Sequence, residues 1–387
     1  MSKPRTDARY QGFEQGPIRP PSEANSLLIR VTRNCPWNRC TFCPVYKRSR
    51  FSVRPFEHVI EDIDRVSRYL TWINRQEATT GRPRRSDLTA ILAKDNTPDL
   101  SAFQAALNWY ISGMKAVFIQ DANSLIIKPG HLVDILRHLK KNFPWVERIT
   151  SYARSHTVAR IKDKDLKAMA DAGLNRIHIG LESGSDQVLQ YVCKGVTKAT
   201  HVKAGRKVKH AGMELSEYVM PGLGGKKLSR EHALETAGAL NQIDPDFIRL
   251  RTLAIPNKVE LFQDVDSGIF EKCTDRETVE EILLFIENLS GITSTVKSDH
   301  ILNLFQEVDG QLPQDKNRMT APLRDFLAMP PKEQMLYQVG RRLGIFSGIN
   351  DMASPQRMTK VQSTCLRLGV TPENVDATVA ELMKRFI

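Results

Sequence analysis

The sequence predicts an α/β fold built from parallel βα units. Three observations carry this. Six short β-forming runs, at 27–35, 116–125, 148–155, 176–184, 214–225 and 246–255, alternate with stretches of helical apolar spacing. The run at 214–225 ends in a glycine-rich turn before the next helical stretch, as βα turns do. After Pro256 the alternation stops and helical patterning takes over. Six βα units either close most of a barrel or form an open doubly wound sheet, and periodicity does not choose between these. The predicted organisation is a basic arm over 1–25, an α/β core over 26–256 and a mostly helical extension over 257–387.

The elements follow in order. Residues 1–25 are polar and proline-containing, with few apolar side chains to pack. LLIRVTRNC (27–35) reads as a strand ending at a cysteine. Val59, Ile60, Ile63, Val66, Leu70 and Ile73 recur at helical spacing over 56–75. Residues 77–87 read as a loop, and 101–114 as a helix. Helices are expected at 130–142, 163–172, within 185–212 and at 230–242, each after a strand. In the extension, 276–290 and 320–345 read as helices. Ser354-Pro355 and Thr371-Pro372 read as N-cap plus first-turn proline. Leu366 and Leu368 sit near the end of the first of these helices, and Val375, Val379, Leu382, Met383 and Phe386 form a stripe on the second.

Composition excludes several classes. Of 387 residues 41% are hydrophobic, enough for a sizeable core and too many for a disordered chain. No apolar run reaches the roughly 18 residues of a spanning helix, and the first residues lack an apolar signal core. A cytoplasmic protein with no membrane partner is therefore expected. The net charge is +12. Residues 1–50 hold ten Lys or Arg against three acids, so RNA is a possible partner, although arginines around an anionic ligand would give the same surplus.

Six cysteines are too few for a disulfide scaffold, and they are unevenly placed. Cys35, Cys40 and Cys43 lie within nine positions, while Cys193, Cys273 and Cys365 are scattered. Three thiolates on one loop suit three corners of an iron–sulfur cube and leave the fourth iron open. Zinc is the competitor, but a structural zinc site needs four protein ligands, and no second Cys pair or nearby His supplies the fourth.

This loop, following the first strand of a βα series, resembles the hallmark of the radical SAM superfamily, with four and two residues between cysteines where three and two are usual. The resemblance covers roughly residues 27–256. It implies a partial (βα)6 TIM-like barrel with a C-terminal helical extension, a [4Fe–4S] cluster held by Cys35, Cys40 and Cys43, and S-adenosyl-L-methionine (SAM) as cofactor. Phe42 matches the aromatic that the family places beside adenine. Gln120 and Asp121 stand where a polar turn meets the methionine amino group, without the common glycine pair, and the third strand offers Ser151 and Arg154. Ile179-Gly-Leu-Glu-Ser-Gly-Ser185 resembles a stretch in relatives of oxygen-independent coproporphyrinogen oxidase. There Glu182, with Ser183, would approach the ribose, and Lys194, twelve positions on, would pair with the carboxylate. A helix cap at Glu182 and a dipole partner at Lys194 are the structural alternatives. Met220 and Gly222 match the glycine turn near adenine, which an ordinary βα turn would also explain.

Glu217, Tyr218, Arg249 and Arg251 fall near strand ends, where βα barrels carry chemistry, and are candidate substrate contacts. An Arg–Glu pair across the fifth and sixth strands would explain them equally. The implied activity is reductive cleavage of SAM to a 5′-deoxyadenosyl radical that abstracts hydrogen from a small-molecule substrate. An external one-electron reductant of the flavodoxin or ferredoxin type would supply the electron. An RNA-modifying enzyme and a haem or cofactor delivery protein are the alternatives.

Overall fold

The computed structural model describes residues 9–80 and 98–383. Two compact units emerge. The first is built from residues up to Asn38, Val45–Ile179 and Lys207–Glu214; the second from Arg39–Pro44, Gly180–Arg206 and Leu215 onward.

In the first unit, β1 (Leu27–Arg30) is followed by a two-stranded antiparallel ribbon, β2 (Thr32–Arg33) and β3 (Ser52–Val53). Helices α1 (Phe56–Thr80) and α2 (Leu100–Ile111) precede β4 (Ala116–Gln120). Helix α3 (Pro129–Asn142) leads to β5 (Arg148–Ala153). The short α4 (Ser155–Val158) and α5 (Asp163–Asp171) then lead to β6 (Arg176–Glu182). Strands β1, β4, β5 and β6 pair in parallel in that order, in register Leu27 with Val117 and Val117 with Ile149. Strand β4 is buried at every position, and in β5 and β6 Thr150, Ser151 and His178 are as fully buried as Ile149, Ile177 and Ile179, the pattern of parallel strands covered on both faces.

Helix α6 (Asp186–Tyr191) and most of α7 (Lys198–His210) belong to the second unit, as do β7 (Glu214–Val219) from Leu215 on, α8 (Gly225–Ile243) and β8 (Phe247–Leu250). Helices α9 (Glu260–Asp266) and α10 (Asp275–Glu287) follow. Then come β9 (Thr295–Lys297), β10 (Gly310–Gln311), α11 (Lys316–Ala328), α12 (Pro331–Arg342), α13 (Pro355–Leu368) and α14 (Val375–Met383). Strands β7, β8 and β9 are parallel, and β10 closes antiparallel on β9. The α/β class, with βα repeats and parallel strand pairing within each unit, is thus as the sequence predicts.

Several boundaries move, each for a local reason. The run at 27–35 breaks after Arg30, and its second half pairs with residues 52–53 instead. The loop expected at 77–87 starts inside α1; residues 81–87 lie outside the described residues, as does Phe386. The helix expected at 230–242 begins at Gly225. The single helix over 320–345 is two, because Pro330 and Pro331 cannot continue α11 and start α12 anew. The extension is not purely helical: β9 and β10 are too short to show a period. Ser354 caps α13 as expected, accepting from Arg357 N. Thr371-Pro372 opens a turn, and α14 starts only at Val375. No helix among the described residues is long and apolar enough to cross a membrane.

Candidate functional site

The candidate residues divide between the two units. In the second unit, β6 ends on Glu182, whose φ of 63° is left-handed, rare for a side chain of this size. Ser183 N donates to Leu181 O at 2.8 Å, closing a three-residue turn around it. Lys194 Nζ donates to Glu182 Oε1 at 3.0 Å, with both side chains largely buried. Gly180 makes room, because a β-carbon there would collide with Glu182 Oε1. The cap of α6 is Ser185, whose Oγ accepts from Val188 N, so capping does not explain Glu182. Ser183 is fully buried and bonded to His232 Nδ1 at 2.8 Å and to Ser185 N at 3.0 Å.

Lys194 Nζ also lies 5.8 Å from the centroid of the Phe42 ring. Phe42 is buried in an apolar cluster with Val188, Val192, Met220, Leu223 and Leu261, and Cys40 and Cys43 pack against it. The segment is stitched in place by its backbone: Thr41 N donates to Val192 O, and Leu261 N donates to Thr41 O. Cys43 N donates to Cys40 O at 3.3 Å, which puts these two thiols on one turn. Gly222 has a φ of 84°, the left-handed region that favours glycine, and its N–H donates to Glu281 Oε1 at 2.7 Å.

Glu217 is fully buried, and neither carboxyl oxygen has a hydrogen-bond partner. Burial pushes its pKa well above the usual carboxylate range; Glu182 adds to the rise and Lys194 opposes it. Arg249 is buried, with Nε on Ser216 Oγ at 3.2 Å and a guanidinium nitrogen 3.2 Å from Asp299. The partner expected across the strands, a glutamate, is therefore Asp299 instead. Arg251 lies past the end of β8 and is exposed, so it is not an interior strand residue. Tyr218 is partly buried beside Arg249 in the β7–β8 register. The pKa of His300 falls to about 4, through burial first and then Arg251.

In the first unit, Asn38 N donates to Cys35 Sγ at 3.4 Å. Gln120 is fully buried, and Gly16 N donates to its Oε1 at 2.8 Å while its Nε2 donates to Ile18 O at 2.9 Å. Asp121 is fully buried and accepts from Arg30 Nε at 2.7 Å, Asn34 N at 3.1 Å and the Tyr46 hydroxyl. Ser151 Oγ donates to Ile119 O. Arg154 stacks over Trp37 at 5.1 Å, with its N–H on Asn123 Oδ1.

The arm is part of this unit. Phe13 is buried, and Glu14 pairs with Arg30 at 2.6 Å, Arg33 at 2.9 Å and Arg54 at 3.5 Å. Part of the N-terminal basic surplus is thus matched within the fold. Composition gives no sign of Glu14, Tyr46, His232 or Glu281, whose partners are distant in sequence.

The donor chemistry fits an iron–sulfur cluster. Cys35, Cys40 and Cys43 are outside any disulfide and partly buried, and one sulfur already accepts a backbone N–H. Among the described residues, no three His, Cys, Asp or Glu side chains are gathered tightly enough to hold a metal ion. The fit therefore rests on ligand type and spacing.

Comparison with known proteins gives a family match: the Radical SAM superfamily, over residues 106–237. A tRNA uridine(34) acetyltransferase from Methanocaldococcus jannaschii is 22% identical over 121 residues, which is 31% of this chain and 22% of that protein. An uncharacterized methyltransferase from Pyrococcus horikoshii is 27% identical over 107 residues, 27% of this chain and 22% of that one. The chain thus spans about a fifth of the length of these curated relatives. Among solved structures, coproporphyrinogen III oxidase from Escherichia coli aligns with a TM-score of 0.45 at 13% identity, covering 68% of this chain and 52% of that one.

Proposed function

We propose, from the premise that the chain belongs to the radical SAM superfamily, that it cleaves SAM reductively and abstracts hydrogen from an organic small molecule. Enzymes of this class use a [4Fe–4S] cluster and SAM. When bound, these supply one-electron opening of the sulfonium and a 5′-deoxyadenosyl radical. Cys35, Cys40 and Cys43 would hold the cluster.

The Glu182–Lys194 pair at a strained strand end, beside Phe42 and the Cys40–Cys43 turn, is the observation that carries this reading. Without ligand the two charges neutralise each other. A ligand bearing both a carboxylate and vicinal hydroxyls offers each a better partner. Lys194 gives a cation to the carboxylate, and the Glu182 carboxylate accepts from both hydroxyls. SAM carries both groups. Phe42 and Met220 offer an apolar wall for its adenine, and the apolar cluster around Cys40 and Cys43 excludes water from that part of the loop. Glu217, Tyr218 and Arg249 are the candidate substrate contacts, with Arg251 further out.

Anaerobic reconstitution should load about four irons per chain with broad absorption near 400 nm. Zinc without sulfide would contradict the reading.

A second reading, modification of tRNA, is favoured by the similarity to the tRNA uridine(34) acetyltransferases of Methanocaldococcus and by the exposed Arg39, Arg48 and Arg50 around the cysteine segment. Salt-sensitive retention of tRNA would support it. Retention that is absent at low salt would remove it.

A further inference from the structure

We propose that Asp121 is the positioning residue of the cysteine segment, gripping both flanks of it, rather than a contact to SAM. The inference rests on Cys35 being a cluster ligand.

The geometry is specific. Asn34, whose N–H Asp121 accepts, immediately precedes Cys35. Tyr46, whose hydroxyl Asp121 accepts, lies three residues beyond Cys43. Arg30 Nε, at the end of β1, is the third donor. One buried carboxylate thus ties the strand before the cysteines to residues on either side of them.

The flanks are cross-braced in turn. Asn38 Nδ2 donates to Tyr46 O at 2.6 Å, and Asn34 Nδ2 donates to Arg50 O at 2.7 Å. Asn34 and Asn38 both have left-handed φ, 67° and 48°, which asparagine tolerates better than most residues. Asn38 N is also the donor to Cys35 Sγ, so the brace ends on the sulfur itself. Behind Asp121, Gly16 approaches so closely that a β-carbon would sit 3.1 Å from its Oδ1, and Glu14 holds the far side of Arg30. With three donors already engaged, Asp121 supports the loop. Supporting partners of this kind orient ligands, and their loss typically costs about 10- to 100-fold in metal affinity.

The test uses the full chain in two states, comparing wild type with Asp121→Ala, Asp121→Asn and Tyr46→Phe. Tyr46→Phe removes a single donor and serves should Asp121→Ala fail to fold. In the metal-free chain, hydrogen exchange over 34–38 and 45–50 should speed up about tenfold in Asp121→Ala at native conditions where the loop opens locally, relative to loops of the second unit. After anaerobic reconstitution, iron affinity should fall about tenfold, and the reduced protein's paramagnetic spectrum should shift. Asp121→Asn should be intermediate, because its amide oxygen still accepts from Asn34 and Arg30. Tyr46→Phe should change the 45–50 exchange most.

Unchanged exchange and iron affinity in a folded Asp121→Ala would overturn the positioning role. So would weaker SAM binding with wild-type exchange and spectrum, which would make Asp121 a direct contact. Wild-type protein that takes up no iron would overturn the cluster reading itself, and with it any role of Asp121 toward Cys35.

Discussion

Asp121 in the first unit and Glu217 in the second are both fully buried carboxyl groups, and they are solved in opposite ways. Asp121 has a guanidinium, a backbone N–H and a phenol. Glu217 has no hydrogen-bond partner, and its nearest charges are another glutamate and one lysine. A satisfied buried carboxylate rigidifies what surrounds it, whereas an unsatisfied one costs stability and persists where it serves a ligand. On the reading proposed above, the first unit's carboxylate holds Arg30, Asn34 and Tyr46 in place, and the second unit's is left for a ligand.

The largest expected effect breaks the satisfied side. Asp121→Ala leaves Arg30 buried with Glu14 as its remaining acid, and should cost about 3 kcal/mol in denaturant unfolding. A loss under about 1 kcal/mol would mean that the cluster is not a structural unit.

Next comes the pair that separates the two regions. Lys194→Ala should weaken SAM binding by about 2 kcal/mol, roughly thirtyfold, as measured calorimetrically. Gly180→Ala should lower it too, by crowding Glu182. Unchanged affinity in both would make the pair purely structural.

Glu217 gives the sharper sign test. Its folded pKa is raised, so the fold favours the neutral acid. The unfolded chain ionises from about pH 4.5, the ordinary value for glutamate. The associated stability is present below that pH and is lost as pH rises toward the folded pKa, at about 1.4 kcal/mol for each pH unit crossed. Glu217→Gln should lack this decline, so its stability relative to wild type should grow as pH rises above the ordinary glutamate range. A parallel profile would show that Glu217 is ionised and matched. The smallest effect is at the surface: Lys115→Ala, which breaks an exposed pair with Glu147, should stay within about 0.5 kcal/mol.

Legibility in the sequence follows the range of the interactions. The strands, the Ser354 cap and the Glu182–Lys194 spacing can be read because their patterns are local or separated by one helix. Asp121 can be placed at a strand end but not given its role, since Arg30 lies 91 positions away and Tyr46 lies 75 away. Glu14 is hidden in a basic arm because net charge does not reveal pairing. Strands β9 and β10 escape a sequence reading because two or three residues cannot show alternation. Arg251 looks like a strand residue only when β8 is extended past its true end at Leu250.

The central claim is that the three clustered cysteines support reductive cleavage of SAM. The direct measurement is 5′-deoxyadenosine released from SAM by reduced, anaerobically reconstituted protein, for wild type and Cys40→Ala side by side. Release by wild type and none by Cys40→Ala is the predicted result; equal release by both, or none by a wild type carrying its iron, would contradict it.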